Sequence, residues 1–426
     1  MLPEDWHRST LGEIARISSG GTPDRSEPAY WGGSVPWVTT GEIQFNTITD
    51  SNEKITEAGL KNSSAKLFPP GTLLMAMYGQ GKTRGQVAKL AIEAATNQNS
   101  AAIMLTEGHD PDFYFHFLAW QYDEIRDFGH SGGVSHLNAG LLKQIPVPVA
   151  PLNEQHSIAR ILSTWDEAIA TAERLLSNCQ TQWQALLSAT LHLAPANPDV
   201  DGRADNGGFP PSVQPGIPGL PPTPDGWHRE PLGQHLREVR RPVALQAEQT
   251  YSLVTVKRSR GGVVLREVLS GREVKTPSQF YVRTGDFLIS KRQIVHGACG
   301  VVPAGLDGAV VSNEYAVLNS DGAIDLRFLR YLSETRYFQQ TCFHSSIGVH
   351  VEKMIFKTEH WLKWPFSIPP LPVQRRIIEV LDTARREMAL ISAQIDRLKQ
   401  EKAALMAQLL TGKRRVRLDQ PGTVLP

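Results

Sequence analysis

The stretch PLNEQHSIARIL, Pro151–Leu162, is answered 219 residues later by PLPVQRRIIEVL, Pro370–Leu381. From each stretch the apolar positions step alternately by four and three. In the first copy they are Ile158, Leu162, Trp165, Ile169, Ala172, Leu176, Cys179, Trp183 and Leu186. In the second they are Ile377, Leu381, Ala384, Met388, Ile391, Ile395, Leu398, Lys402 and Leu405, followed by Leu409. A sustained heptad of this kind is the pattern of helices that pair along one narrow stripe. Each helix follows a proline-containing run, IPVPVAP or IPPLP, which suits an extended segment ending at a helix N-terminus. About forty residues at about 1.5 Å each give a helix about 60 Å long, longer than a small domain, so it needs a partner. Within one chain the obvious partner is the other copy, and a two-fold relation between copies makes the pair antiparallel. The register read from the seam sets Trp183 against Ala384 and Trp165 against Lys402.

The repetition extends outward from the helices. Trp6-His7-Arg8 with Leu11-Gly12 recurs as Trp227-His228-Arg229 with Leu232-Gly233. Pro70-Gly71-Thr72-Leu73-Leu74 is matched by Thr284-Gly285-Asp286-Phe287-Leu288, and Asn97 by Asn313. These ordered markers describe a duplicated unit with small loop insertions. Between the copies, residues 194–226 hold nine prolines and six glycines, a composition that predicts an extended linker. The predicted organisation is a domain at 1–150, a helix at 151–193, the linker at 194–226, a domain at 227–369, a helix at 370–412 and a basic tail at 413–426. Within the domains, β-rich segments at Val35–Thr40, Thr72–Tyr78, Ser252–Val256 and Phe287–Ser290 alternate with turn residues. Helices are expected at Phe113–Arg126 and Leu326–Thr341. The fold class is α+β: two mixed α/β domains related by duplication and joined by two long helices that pair as an antiparallel coiled coil.

Bulk composition narrows the function classes. With 44 basic and 43 acidic residues among 426, the chain has no global basic footprint. Residues 228–300 do, carrying 13 Lys and Arg against 6 Asp and Glu. Three cysteines without CxxC spacing, Cys179, Cys299 and Cys342, point away from a disulfide framework or structural zinc and toward a reducing cytoplasm. The opening MLPEDWHRST has neither the basic nor the apolar region of a secretory signal, and no apolar run is long enough to span a membrane. Histidines are scattered without metal-ligand spacing.

Two similar domains on stiff helices make a ruler with two heads, suited to duplex DNA, which presents the same face about every 34 Å. Here the residues carry a resemblance. LGEIARISSGGTPDRS with YWGGSVPWVTTGEI, within Leu11–Ile43, resembles the opening of a target-recognition domain of type I restriction-modification specificity subunits. The two proline-led helix starts resemble that family's conserved helices, and LMAQLLTGKRRV, Leu405–Val416, resembles its C-terminal end. The long proline-rich linker departs from the pattern, and the second domain keeps little of the first domain's opening motif. The resemblance implies a non-catalytic subunit that reads a bipartite, asymmetric DNA sequence across an unspecified spacer. It further implies partnership with double-stranded DNA, two methyltransferase subunits using S-adenosylmethionine, and motor-nuclease subunits using ATP and Mg. No cofactor is implied in this chain itself.

Bases are read by Arg, Lys, Asn, Gln and Ser, so polar glycine-rich loops are the candidate readers. In the first domain these are Ser18–Thr22, YGQGKTRG at Tyr78–Gly85 and GHSGGVSHLN at Gly129–Asn138, with Gln80, Lys82, Thr83, Arg84, Ser131, His136 and Asn138 as candidates. In the second domain the candidates are Lys257, Arg258 and Arg260, then Lys291, Arg292 and Gln293, then His344, Ser345 and His350. Each of these also suits an ordinary exposed turn. Asn97 and Asn313 read better as side chains that tie down a turn.

Two rival functions remain open in the sequence. One is a coiled-coil adaptor that binds proteins and never touches DNA. The other is a nucleotide-binding loop, because Ala76 to Thr83 fits a relaxed phosphate-loop pattern ending in Lys82-Thr83. That geometry needs a following helix. Arg84-Gly85-Gln86-Val87 places a glycine where the helix would propagate. Neither an adenine-methylase Asn-Pro-Pro-aromatic motif nor a nuclease motif within a folded domain is found.

Overall fold

The computed structural model describes residues 2–79, 81–128, 136–192 and 222–416. Most of the expected linker and the end of the C-terminal tail therefore lie outside the described residues. Two compact units are present, Met1–Leu175 with Ile391–Pro426 and Leu176–Leu390. Each long helix contributes one half to each unit.

The first unit holds a five-stranded sheet in the order Ala15–Ser19, Ser100–Leu105, Leu73–Ala76, Val87–Leu90, Thr47–Ile48. A four-stranded sheet, Glu53–Ile55, Trp31–Val38, Ala94–Thr96, Leu67–Phe68, accompanies it. In the second unit the matching strands are Leu236–Glu238, Tyr315–Ser320, Phe287–Ser290 and Cys299–Val301. Its other sheet runs Pro242–Val243, Gln279–Tyr281, Val310–Ser312, Thr250–Val256, Val263–Ser270. The central antiparallel pairs correspond: Met75 faces Ala101, and Ile289 faces Ala316. These inner strands are buried throughout, which is why they read as continuous apolar runs rather than alternating ones.

The duplicated Trp-His-Arg…Leu-Gly motif has a packing explanation. His7–Thr10 pairs antiparallel with Pro146–Val149, and His228–Pro231 pairs with Pro365–Ile368. The start of each domain thus lies against the proline-containing strand that leads into its helix. Leu11 and Leu232 are wholly buried beside this ribbon. A Cβ on Gly12 would lie 2.8 Å from the Lys143 Cβ, and one on Gly233 would lie 3.0 Å from the Leu362 carbonyl oxygen, so both close approaches select glycine.

The helices span Leu152–Thr190 and Leu371–Leu409, 39 residues each. Neither contains glycine, and the one proline, Pro372, sits in a first turn where its missing N–H costs nothing. Gly412, at φ +69°, ends the second helix. Each start is locked by a buried glutamine. Gln155 accepts from the Asp110 N–H and donates to the Ala150 and Gly108 carbonyls. Gln374 accepts from the Asp325 N–H and donates to the Pro369 and Ala323 carbonyls. One side chain therefore joins the helix, the preceding strand and the N-terminus of a domain helix in both copies.

Within each unit the helix halves run antiparallel. In the first, Ile158 and Leu162 share a core with Met406, Leu409 and Leu410. Further along the same pair, Lys402 bonds Asp166 and Lys399 bonds Glu173 at 2.7 Å. In the second, Trp183, Leu187 and Leu191 share a core with Ile377, Ile378 and Leu381. Seam positions Ile169, Ile391 and Ile395 are buried, while Trp165, Leu176, Ala384, Met388, Leu398 and Leu405 are half-buried. Ala384 packs against the core that holds Trp183, and its neighbour Arg385 lies over the Trp183 ring, while Asp166, the neighbour of Trp165, takes Lys402. A wide indole and a long ammonium side chain reach past the facing seam position to its neighbour.

The two domain helices also differ from expectation, because each is broken in two. Pro111–Trp120 is followed by Tyr122–Phe128, and Leu326–Leu332 by Arg336–His344. The second break is made by Thr335, whose hydroxyl accepts from the Phe338 N–H and starts a new helix.

Candidate nucleic-acid interface

The three loops chosen in the second domain come together. The Ser259 and Arg260 N–H groups donate to the carbonyls of His296 and Gly297 at 2.7 and 2.9 Å. Phe356 N–H donates to the Lys291 carbonyl, joining the loop at 291–297 to the segment after His350. Glu352 links all three, lying 3.4 Å from the Arg258 guanidinium and 3.2 Å from His296 Nε2. Ser259 and Arg260 both hold positive φ, +52° and +57°, an unusual conformation for side-chain-bearing residues. Arg260 is held there by the Ser333 carbonyl at 3.0 Å and Glu334 at 3.5 Å. Glu334 also binds Arg385, so the turn is braced through to the long helix.

Exposure separates the candidates. Lys257, Arg258, Arg292, His344 and His350 are exposed. Arg292 grips Glu314 through two guanidinium nitrogens, which holds its side chain in place and raises its pKa further. Lys291 is mostly covered and donates to Glu238 at 3.2 Å and the Asn313 carbonyl at 3.3 Å. Ser345 is buried, and its hydroxyl accepts from Trp364 Nε1 at 3.0 Å. Gln293 is half-buried and shapes a turn, its carbonyl accepting from His296 and Ala298. Lys291, Arg260 and Ser345 thus serve first to build the surface, which residue type and loop position do not reveal.

In the first domain, Gln80 and Ser131 lie outside the described residues. Lys82 is exposed, and its carbonyl accepts from the Tyr122 hydroxyl. Thr83 is half-buried against Gly79. Arg84, by contrast, is buried and donates to the Arg126 carbonyl at 3.3 Å. His136 stacks on Tyr78, with ring centres 4.9 Å apart and planes 10° from parallel. Asn138 caps the helix Ala139–Lys143 by accepting from the Leu141 N–H. Phe45, absent from the sequence-based candidates, lies edge-on to Tyr122 at 5.2 Å with φ +56°. Nothing in its local sequence marks that conformation.

Asn97 ties down its turn, its side-chain oxygen accepting from the Asn99 N–H and the Ser100 hydroxyl. Asn313 is exposed and contributes its carbonyl instead. The loop that fits a phosphate-binding pattern leads into the strand Val87–Leu90, not a helix, so no row of helix N–H groups faces it. Among the described residues no cluster of His, Cys, Asp and Glu is placed to hold a metal ion. No described helix is long and apolar enough to cross a membrane.

Residues 3–178 match the family described as the type I restriction modification DNA specificity domain. That stretch is similar to the type I specificity family. Over 178 residues the chain is 28% identical to the MjaIX specificity subunit of Methanocaldococcus jannaschii, covering 41% of this chain and 40% of that relative. It is 29% identical over 168 residues to the EcoR124I/EcoR124II specificity subunit of Escherichia coli, covering 38% and 41% of the two chains. These alignments span about two fifths of each relative's length. The MjaVIII specificity subunit of M. jannaschii aligns along 98% of this chain and 94% of its own length at 20% identity. In fold, the chain is similar to a type I system S subunit from M. genitalium, with a TM-score of 0.56, 13% identity, and coverage of 96% and 97%. A chain of another type I system gives a TM-score of 0.55 at 18% identity, covering 97% and 100%. The fold of two mixed domains and a long helix pair is thus shared with type I specificity subunits.

Proposed function

We propose that the chain is the non-catalytic DNA specificity subunit of a type I restriction-modification complex, reading a bipartite asymmetric target with one half-site per domain. The observation that carries this reading is the convergence of three polar loops, at 257–262, 291–297 and 343–356, onto one surface of the second domain. Sequence reading by side chains at base edges requires such a surface, with exposed basic groups around it to meet phosphates. Lys82, Lys257, Arg258, His344 and His350 are exposed candidates, as are Arg292 and Asn138, whose side chains are engaged within their loops. His136, Thr83 and Gln293 stand at the margin, and Arg84, Arg260, Lys291, Arg292, Asn138 and Ser345 shape the loops. The domain divisions at 1–150 and 227–369 mark the two readers.

In this reading the partners are double-stranded DNA, two methyltransferase subunits that methylate adenine with S-adenosylmethionine, and motor-nuclease subunits that consume ATP. The chemistry belongs to those partners, and the chain works in the cytoplasm. The test is the methylation motif laid down when the chain is co-expressed with its methyltransferase. A two-part motif is expected, and exchanging residues 227–369 for another second domain should change one half only. A change in both halves would contradict independent readers. An assembly without salt-dependent DNA affinity would favour a protein adaptor instead.

A further inference from the structure

Ser346–Ile347 and Ile355–Phe356 form a short antiparallel hairpin on the converged surface of the second domain. On its first strand the polarity is inverted. Ser346 and Phe356 face inward at 8% and 1% exposure, while the cross-strand partners Ile347 and Ile355 face outward at 58% and 40%. Beyond them at the tip, Val349 is 95% exposed. Single exposed apolar residues are ordinary, but three β-branched ones on one finger, with a serine taking the covered position, run against what stability favours. The finger is also firmly built. A Cβ on Gly348 would lie 2.8 Å from the Met354 Cα, so the loop crosses itself tightly. Phe356 N–H ties the finger's base to the Lys291 carbonyl.

The setting identifies the occupant. Lys257, Arg258, His350 and Lys353 are exposed on the same three-loop surface, and the nearby carboxylate of Glu352 is already engaged by Arg258. An apolar tip framed by cations fits a groove of duplex DNA, where phosphates flank the one apolar group on a base edge, the thymine 5-methyl. We propose that Val349, supported by Ile347, is a specificity-determining residue that reads a thymine methyl in the half-site of the second domain. This rests on the DNA-reading function above.

The test uses the full chain assembled with its methyltransferase subunits, and duplexes in which thymines of the second half-site are replaced singly by deoxyuridine. Only a methyl group is removed by this change. At one position wild-type affinity should fall about fourfold, the value of one buried methyl. Val349→Ala should bind the thymine duplex more weakly by a similar factor and make no distinction between thymine and deoxyuridine there. Ile347→Ala should show a smaller loss, and both variants should unfold at the wild-type temperature. Equal binding of thymine and deoxyuridine duplexes by wild type, or a second half-site without thymine, would overturn the proposal. So would loss of a methyltransferase subunit from Val349→Ala without DNA, which would make the finger a protein-docking element. Failure of the whole assembly to prefer any sequence would instead remove the DNA-reading function itself.

Discussion

Arg385 lays its guanidinium over the Trp183 ring, 4.9 Å from its centre, at the helix positions that in the other unit hold Asp166 and Lys402. The offset of 219 residues takes Asp166 to Arg385 and Trp183 to Lys402. One crossing point of the duplicated helices is therefore closed twice by different chemistry, an ion pair in one copy and a cation–π contact in the other. Trp183 is buried, whereas Asp166 is nearly half exposed, so the two contacts differ in strength.

Double-mutant cycles should resolve that difference. The Arg385/Trp183 coupling is expected at about 1–2 kcal/mol and should persist in molar salt. The Asp166/Lys402 coupling is expected below about 1 kcal/mol and should fade as salt rises, as exposed ion pairs do. Denaturant unfolding of the four single and two double variants would measure both. Equal, salt-sensitive couplings would contradict the assignment.

His116 provides a pH dependence. Burial first, then the Lys402 ammonium, push its pKa down to about 4 from an ordinary 6.5. Its neutral ring lies 3.3 Å from the Ser163 hydroxyl. Because the folded pKa lies below the unfolded one, the unfolded chain takes up the proton first as pH falls. Stability should therefore decline between about pH 6.5 and pH 4, by up to about 3 kcal/mol, and be independent of this group above pH 7. Unfolding measured at pH 7 and pH 5 should show a smaller pH difference in His116→Gln than in wild type.

The locking glutamines should be intolerant of charge. Gln374→Glu would set carboxylate oxygens against the Pro369 and Ala323 carbonyls that now accept hydrogen bonds. A loss of about 2–4 kcal/mol is expected, with Gln155→Glu behaving alike in the first unit. Thermal unfolding of each variant measures it, and no change in either would show that the helix starts are held elsewhere.

Basic residues in the candidate loops should separate into two kinds. Lys257→Ala should lower the salt dependence of DNA binding by about one counterion while leaving stability within about 0.5 kcal/mol. Arg84→Ala should chiefly destabilise the first domain, because this guanidinium is buried and donates to the Arg126 carbonyl. Binding across a salt series, together with unfolding curves, distinguishes them. A stability loss for Lys257→Ala with an unchanged salt slope would reverse its role.

The sequence by itself determined the duplication, both long helices and the antiparallel pairing of their seams. These follow from periodicity, which the chain carries locally and twice over, from Ile158 and Ile377 onward. It also singled out three loops of the second domain that the fold brings together, since glycine, serine and basic residues cluster where strands end. Only the tertiary structure decided which members of those loops are available. Arg84, Lys291 and Ser345 look like readers by type but are covered or paired by residues far along the chain, while Phe45 and Val349 are left exposed. The contact that lays Arg385, beside the seam position Ala384, over Trp183 has the same origin. Burial, pairing and exact contact depend on side-chain volumes meeting across long sequence separations, and no local pattern records them.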